Sequence, residues 1–342
     1  MTTPTALSQG PTRSWRALLA LLAVLAFAAA ACGSSDSEGS AETEASSEEA
    51  ADDTTSDADA DAETETDADA ESEGDGAVDG ADEGPELRVV SLSATHTEIM
   101  FAIGAGDLLV AIDEWSNYPA EALELPNELS GFEPNVEAIA AYQPDLVLIG
   151  GDFTGLGDQL NEIGIDSWDG PAATSFDDVY AQIEQLGAAT GHIGEAAELV
   201  GQMQTEIAAA AERAPVTDAP LSVYHELDAT LYSADSTTFI GQVYALFGLE
   251  NIADPQGADA FGYPQLNAEY LVEADPDVIF TADGEDAAAL AARDGWSDIT
   301  AVADGNVFVM DADIASRWGP RIVDYINEVA AALETVVVPA IN

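Results

Sequence analysis

Between residues 85 and 191, short apolar runs bounded by turn residues alternate with stretches of helical period. LRVVSLS (Leu87–Ser93), LLVAID (Leu108–Asp113), DLVLIGG (Asp145–Gly151) and the weaker GIDSWDG (Gly164–Gly170) predict strands, with helices such as TEIMFAIG and VEAIAAY between them. Such alternation specifies α/β layering around a mostly parallel sheet. A second series follows in LSVYHEL (Leu221–Leu227), DVIFTA (Asp277–Ala282) and NVFVMD (Asn306–Asp311). Joining the two is a proline-free stretch, Ile193 to Arg213. Within it Ile193, Ala196, Ala197, Val200, Met203, Ile207 and Ala210 recur at helical spacing. A helix of that length is ~30 Å long, a strut rather than a turn.

The expected fold is therefore α/β, with two Rossmann-like lobes at residues 85–191 and 215–342 and a single long backbone helix at 192–214; one continuous domain is the alternative. A continuous helix resists bending, so the lobes are expected to move through small angles. The ligand site is expected in the cleft between them, beyond the carboxyl ends of the strands.

One segment occurs twice, 132 residues apart: NVEAIAAYQPDLVLIG (Asn135–Gly150) and NAEYLVEADPDVIFTA (Asn267–Ala282). Asn135 and Asn267 are good N-caps, and Glu137 and Glu269 fall in the first turn, where the helix dipole favours a carboxylate. Val136, Ile139 and Ala140, and in the second copy Ala268, Leu271 and Val272, are expected to face the core, and Pro144 and Pro276 to stop each helix. A capped helix feeding a strand accounts for every residue of the pattern; it assigns no function to the glutamates.

The first 84 residues change the picture of where the protein resides. Arg13 and Arg16 precede an apolar run from Ala17 to Ala31 and then the chain's one cysteine, Cys32. Fifteen apolar residues are fewer than the ~20 a membrane-spanning helix needs, and the layout is that of a signal peptide, residues 1–31. A cysteine at that point resembles a bacterial lipoprotein signal, which implies lipid attachment at Cys32; a plain secretory signal is the alternative. Residues 32–84 then contain 21 acids with no aromatic and no basic residue. No core forms from such a composition, and the segment reads as a disordered acidic tether. Beyond it remain 45 of the 66 acids, five arginines and no lysine. That surface repels phosphate backbones and excludes nucleic acid as a partner.

The series RVVSLSATHTEIMFAIGAGDLLVAIDEWSNYP, NVEAIAAYQPDLVLIGG, GYPQLNAEYLVEADPDVIF and SRWGPRIVDYINEVAAAL resembles the substrate-binding proteins of ABC importers for cobalamin and iron complexes. The resemblance runs over Leu87–Leu333. It implies the class III architecture, with a rigid helical backbone between two lobes. It implies no catalysis, a cobalt- or iron-containing chelate as ligand, and no resident cofactor or metal. The implied partners are a dimeric ABC permease with its ATPase subunits, met by a monomer whose Glu137 and Glu269 dock into arginine pockets. Two carboxylates on opposite lobes can each engage a guanidinium bidentately, which fixes orientation as well as affinity.

Cleft candidates lie in loops after the strand ends, and aromatic residues recur there: Trp115, Tyr118, Phe132, Phe153, Tyr232, Phe261, Tyr263 and Trp318. Together they suit a broad flat ligand. Tyr118, in SNYP, matches a Tyr-Pro loop of the cobalamin binder, and Asp313, Arg317, Pro320 and Arg321 match its closing segment. Phe132 stands where that protein has a tryptophan. Arg317 is the cation best placed for the cleft, with Arg321 behind it. An anionic ferric catecholate wants several cations; a cobalamin, edged with amides, does not, and neutral or cationic iron hydroxamates satisfy the same condition. Haem wants a Tyr or His iron ligand with a cation near its propionates. His96 and His225 are expected to reach the cleft and His192 to cap the backbone helix. His96, His225, Glu226 and Asp228 form a conceivable metal set, against which the aromatic excess favours a larger ligand. The folded region lacks a Gly-x-Ser-x-Gly elbow, a dinucleotide fingerprint, a P-loop and any cysteine, so hydrolase and nucleotide chemistry have no support.

Overall fold

Eight strands form two four-stranded parallel sheets in the computed structural model, which describes residues 86–214, 219–257 and 261–336. The signal peptide, Cys32 and the acidic tether lie outside the described residues. In chain order the first lobe contains β1 (Val89–Ser91), α1 (Ala94–Ala102), β2 (Leu109–Ile112), α2 (Val136–Ala140), β3 (Leu146–Ile149), α3 (Leu156–Glu162), β4 (Asp166–Asp169) and α4 (Phe176–Thr190). The backbone helix α5 spans Ile193–Ala211. After it come β5 (Ser222–Glu226), α6 (Phe239–Leu246), β6 (Glu250–Asn251), α7 (Ala268–Ala274) and β7 (Val278–Thr281). The chain closes with α8 (Ala287–Ala291), α9 (Thr300–Asp304), β8 (Val307–Val309), α10 (Ala312–Ala315) and α11 (Ile322–Leu333).

The sheet orders are β2-β1-β3-β4 and β6-β5-β7-β8, the same topology twice. Every predicted strand is present but shorter than its apolar run. β6, only two residues long, carries no periodic signal and is absent from the sequence-based expectations. In each sheet the strand order reverses between the first strand and the third, β1/β3 and β5/β7, which puts a crevice beyond their carboxyl ends.

This topology explains the repeated segment, since α2–β3 and α7–β7 are equivalent units. The side chains of Asn135 and Asn267 each accept an N-terminal helix N–H, from Ala138 and Tyr270, at 2.9 Å. The helices end before their prolines: Gln143 and Asp275 take left-handed backbone conformations, φ 52° and 46°, and Pro144 and Pro276 follow. The aspartates act as clamps on the neighbouring strand. Asp145 accepts the Arg88 N–H at 2.9 Å just ahead of β1, and Asp277 accepts the Ser222 N–H at 2.8 Å at the start of β5. Of the residues expected to face the core, Ile139 and Leu271 are fully buried, whereas Ala268 and Val272 are exposed, because α7 touches its lobe along a single narrow stripe.

The stripe of α5 is likewise narrower than its sequence period. Ala196, Val200, Met203, Ile207 and Ala210 are buried, while Ile193 and Ala197 face solvent. The buried residues join one core with Val89 and Leu148 of the first sheet, Val223 and Val278 of the second, and Ile326 and Val329 of α11. The outer face of each sheet has its own smaller core, around Val147 and Leu160 in one lobe and Ile279 and Trp296 in the other. His192 stands at the N-cap of α5 but makes no capping bond with its side chain, which instead meets the Thr190 carbonyl through Nδ1 at 2.9 Å. Among the described residues no helix is long and apolar enough to cross a membrane.

The aspartate clamp predicts that Asp277→Ala destabilises the protein by about 1–3 kcal/mol, the cost of leaving a partly buried N–H and the Ser222 hydroxyl without their acceptor. Urea unfolding of the two proteins checks this; an unchanged midpoint contradicts it.

Candidate functional site

The loops beyond the strand ends bring the predicted aromatic residues out on both lobes. In the first lobe the chain leaving β2 is tied down by the Glu114 N–H to Leu129 carbonyl bond, 2.8 Å. Gly131 lies so close to the end of β1 that an added Cβ would stand 2.2 Å from the Leu92 carbonyl oxygen. That approach holds Phe132 beside the end of β1. Tyr118 is 46% exposed, Phe132 40% and Phe153 72%. In the second lobe two loops pair as a ribbon, through the Ser233 N–H to the Pro264 carbonyl at 2.9 Å and the Asp235 N–H to the Gly262 carbonyl at 2.8 Å. Half-buried Tyr232 and Tyr263 are thereby held on one platform, and Phe261 stands 74% exposed beside them. None of Trp115, Tyr118, Phe132, Phe153, Tyr232 and Tyr263 stacks on another ring among the described residues.

Both histidines expected in the cleft are instead core residues. His96 is fully buried, its Nε2 3.2 Å from Gln182 Oε1 and its ring edge-on to Trp168. His225 is fully buried too, with Nδ1 2.6 Å from the Tyr244 hydroxyl, which meets the Tyr325 hydroxyl at 2.7 Å. The reason is their register: β5 is buried from Val223 to Glu226, and α1 is buried from Thr95 to Met100, so neither ring reaches solvent. Nor do His96, His225, Glu226 and Asp228 converge. Glu226 is held by both terminal nitrogens of Arg293 and Asp228 by the Thr230 N–H and hydroxyl. No group of three metal-ligating side chains occurs among the described residues.

Arg317 also departs from expectation. It is only 7% exposed, and its guanidinium donates to Glu98 at 2.7 Å, to the Asn117 side-chain oxygen at 2.8 Å and to the Trp115 carbonyl at 3.1 Å, with Asp313 at 3.3 Å. Arg321 grips the same Glu98 bidentately, at 2.9 and 2.6 Å, and lies under the Tyr118 ring, 4.2 Å from its centroid. Half-buried Trp318 donates its indole N–H to Gln182 at 3.3 Å. The segment after β8 therefore crosses onto α1 and the Trp115–Tyr118 loop of the first lobe. Glu98 is absent from the candidates drawn from the sequence. Its signal was a single carboxylate in a helical stretch with no solvated face, which requires a cationic partner, and the Arg317/Arg321 spacing supplies two. Glu137 and Glu269 are exposed in the first turns of α2 and α7, as their N-caps predict.

Burial perturbs several ionisable groups near these loops. It lowers His96 from 6.5 to about 4, against the opposing bond to Gln182, and His225 from 6.5 to about 3. It raises Asp113 from 3.8 to about 6, although the Ser116 hydroxyl bond opposes the shift.

Two lobes on a helical strut, with a rim of unstacked rings, define a substrate-binding protein. The chain belongs to the periplasmic binding protein family, whose model matches residues 89–314. Its members bind a substrate for an ABC importer and do not transform it, which locates the chain outside the cytoplasm. It is 33% identical over 254 residues to the ABC transporter substrate-binding lipoprotein YvrC of Bacillus subtilis, covering 72% of this chain and 79% of that one. It is 34% identical over 263 residues to a cobalamin-binding protein of Halobacterium salinarum, 73% of this chain and 70% of the relative. Among solved structures, the periplasmic haem-binding protein RhuT from Roseiflexus sp. RS-1 superposes with a TM-score of 0.65 at 25% identity, covering 73% of this chain and 99% of that one.

The buried histidines make stability depend on pH. Both fold with pKa values below the ordinary 6.5, so the unfolded state binds more protons and stability falls as pH drops below that value. Asp113, raised to about 6, works in the opposite sense between 6 and 3.8, as do Glu226, Asp283 and Glu328, whose carboxyls burial also pushes up. The histidines' contribution to the melting temperature should fall from pH 7 to pH 5. Relative to the unaltered protein, His225→Gln should lose less stability between pH 7 and pH 5 and Asp113→Asn should lose more; an unchanged pH dependence in both variants contradicts the assignment.

Proposed function

We propose that this protein captures a neutral or cationic metal chelate, cobalamin foremost, in the cleft between its lobes and delivers it to an ABC permease. The observation that carries the reading is the state of its cations. The chain has no lysine, and all five arginines of the folded region are engaged internally. Arg88 donates to the carbonyls of Tyr142 and Gln143, Arg213 pairs with Glu334, Arg293 with Glu226 and Glu285, and Arg317 and Arg321 share Glu98. The cleft thus offers rings, hydroxyls and amides, but no free arginine or lysine. A ligand edged with amides suits that surface. Haem propionates or a ferric catecholate would lack a counter-charge, which weighs against haem despite the haem-binding structural relative. The cobalamin-binding relative supports the same choice.

In this reading Trp115, Tyr118, Phe132 and Phe153 meet the ligand from one lobe and Tyr232 and Tyr263 from the other, with Trp318 beside Gln182 at the margin. Glu137 and Glu269, exposed at equivalent helix starts, are the docking carboxylates for a dimeric permease with its ATPase subunits. The protein acts as a monomer, held to the membrane through lipid at Cys32.

Titration calorimetry with cyanocobalamin, a ferric hydroxamate, a ferric catecholate and haemin tests the ligand class. One-to-one binding of cyanocobalamin without turnover is expected; binding of the catecholate alone would overturn the charge argument. Glu137→Ala combined with Glu269→Ala should abolish uptake in cells while leaving ligand affinity intact, and undiminished uptake would refute docking through these residues.

A further inference from the structure

Glu98, on α1 and only 3% exposed, accepts three charge-assisted hydrogen bonds from two arginines at 2.6 to 2.9 Å. Its carboxylate does more than neutralise them. The bidentate grip fixes the plane of the Arg321 guanidinium, since a planar fork on a carboxylate has one good orientation. One face of that plane carries Tyr118, 4.2 Å away at the ring centroid. Glu98 also holds Arg317, which in turn fixes the Trp115 carbonyl and the Asn117 side chain, while Asp313 accepts the Asn117 amide at 2.7 Å. Three residues of one short loop are thereby set by two cations that share a single carboxylate.

We propose that Glu98 is a positioning residue for ligand capture: through Arg317 and Arg321 it holds the Trp115–Tyr118 loop so that the Tyr118 ring presents its free face to the ligand. The ring has one face on a guanidinium and is 46% exposed overall. A cation behind an aromatic ring attracts its electron density and immobilises it. The loop's ordering is then completed before binding, so the ligand does not bear that entropy. The ionic cluster contains two arginines against Glu98 and Asp313, so it positions the ring without lending the cleft net positive charge. The proposal rests on the cleft reading above for its ligand, though not for the ordering of the loop.

Two measurements test it. The first is a double-mutant cycle in cyanocobalamin affinity. Glu98→Gln should weaken binding roughly tenfold in the unaltered protein, within the range for coupled neighbours, and have no further effect in a Tyr118→Leu background. An equal loss in both backgrounds would mean that Glu98 supports the fold at large, and the proposal would fail. Arg321→Lys keeps a charge for Glu98 but loses the planar fork and its face, so it should reproduce the affinity loss; full affinity in that variant also overturns the proposal. The second measurement needs no ligand. Hydrogen exchange at the amides of residues 115–118 should quicken in Glu98→Gln and Arg321→Lys while that of Val147 in β3 is unchanged. Unchanged loop exchange refutes the positioning role. Failure of the unaltered protein to bind cyanocobalamin, with loop exchange quickened as expected, would instead refute the ligand reading and leave Glu98 as the residue that orders the loop.

Discussion

The apolar stripe of α5 does not simply link the lobes; it is buried in the same core as both sheets. Ala196, Val200, Met203, Ile207 and Ala210 pack in one cluster with β1 and β3 on one side and β5 and β7 on the other. Large opening of the cleft would have to part that cluster. Exposing even ~200 Å² of apolar surface costs about 5 kcal/mol, comparable to the whole stability of many domains. The lobes are therefore confined to small displacements, and the loops they carry keep a nearly fixed separation. A site built in this way recognises a rigid ligand of matching breadth rather than closing around a small one.

Charge imposes the second constraint. In a fold with this many acids and five arginines beyond the tether, four of the arginines serve a buried carboxylate or a pair of backbone carbonyls, and Arg213 pairs with exposed Glu334. Glu226 and Glu98, nearly inaccessible to water, would be untenable without Arg293, Arg317 and Arg321. The same economy that stabilises the interior removes positive charge from the cleft. On the function proposed above, a preference for neutral or cationic chelates would follow from how the interior is held together.

Much of this was legible in the chain. The strand runs, the proline-free strut and the twin Asn-x-Glu segments define two equivalent lobes, because period and capping are local properties. The repeat predicts a capped helix feeding a strand but not the role of its aspartates, whose carboxylates clamp a strand some 55–57 residues distant. β6 was invisible because two residues carry no period. The histidines were misplaced for a different reason: a polar residue near a strand end reads as exposed unless the packing of its neighbours is known, and His96 and His225 each lie among residues buried on every side. Arg317 was assigned to the ligand because its partner, Glu98, lies 219 residues away. Pairing over that distance leaves no trace in local pattern.

The central claim is that one rigid cleft binds its ligand with both lobes at once. Hydrogen exchange of the intact protein with and without cyanocobalamin tests it most directly. The account predicts protection by the ligand in residues 113–119 and 131–135 of the first lobe together with 228–232 and 261–264 of the second, with the amides of α5 unchanged. Protection confined to one lobe, or spread along α5, would contradict it.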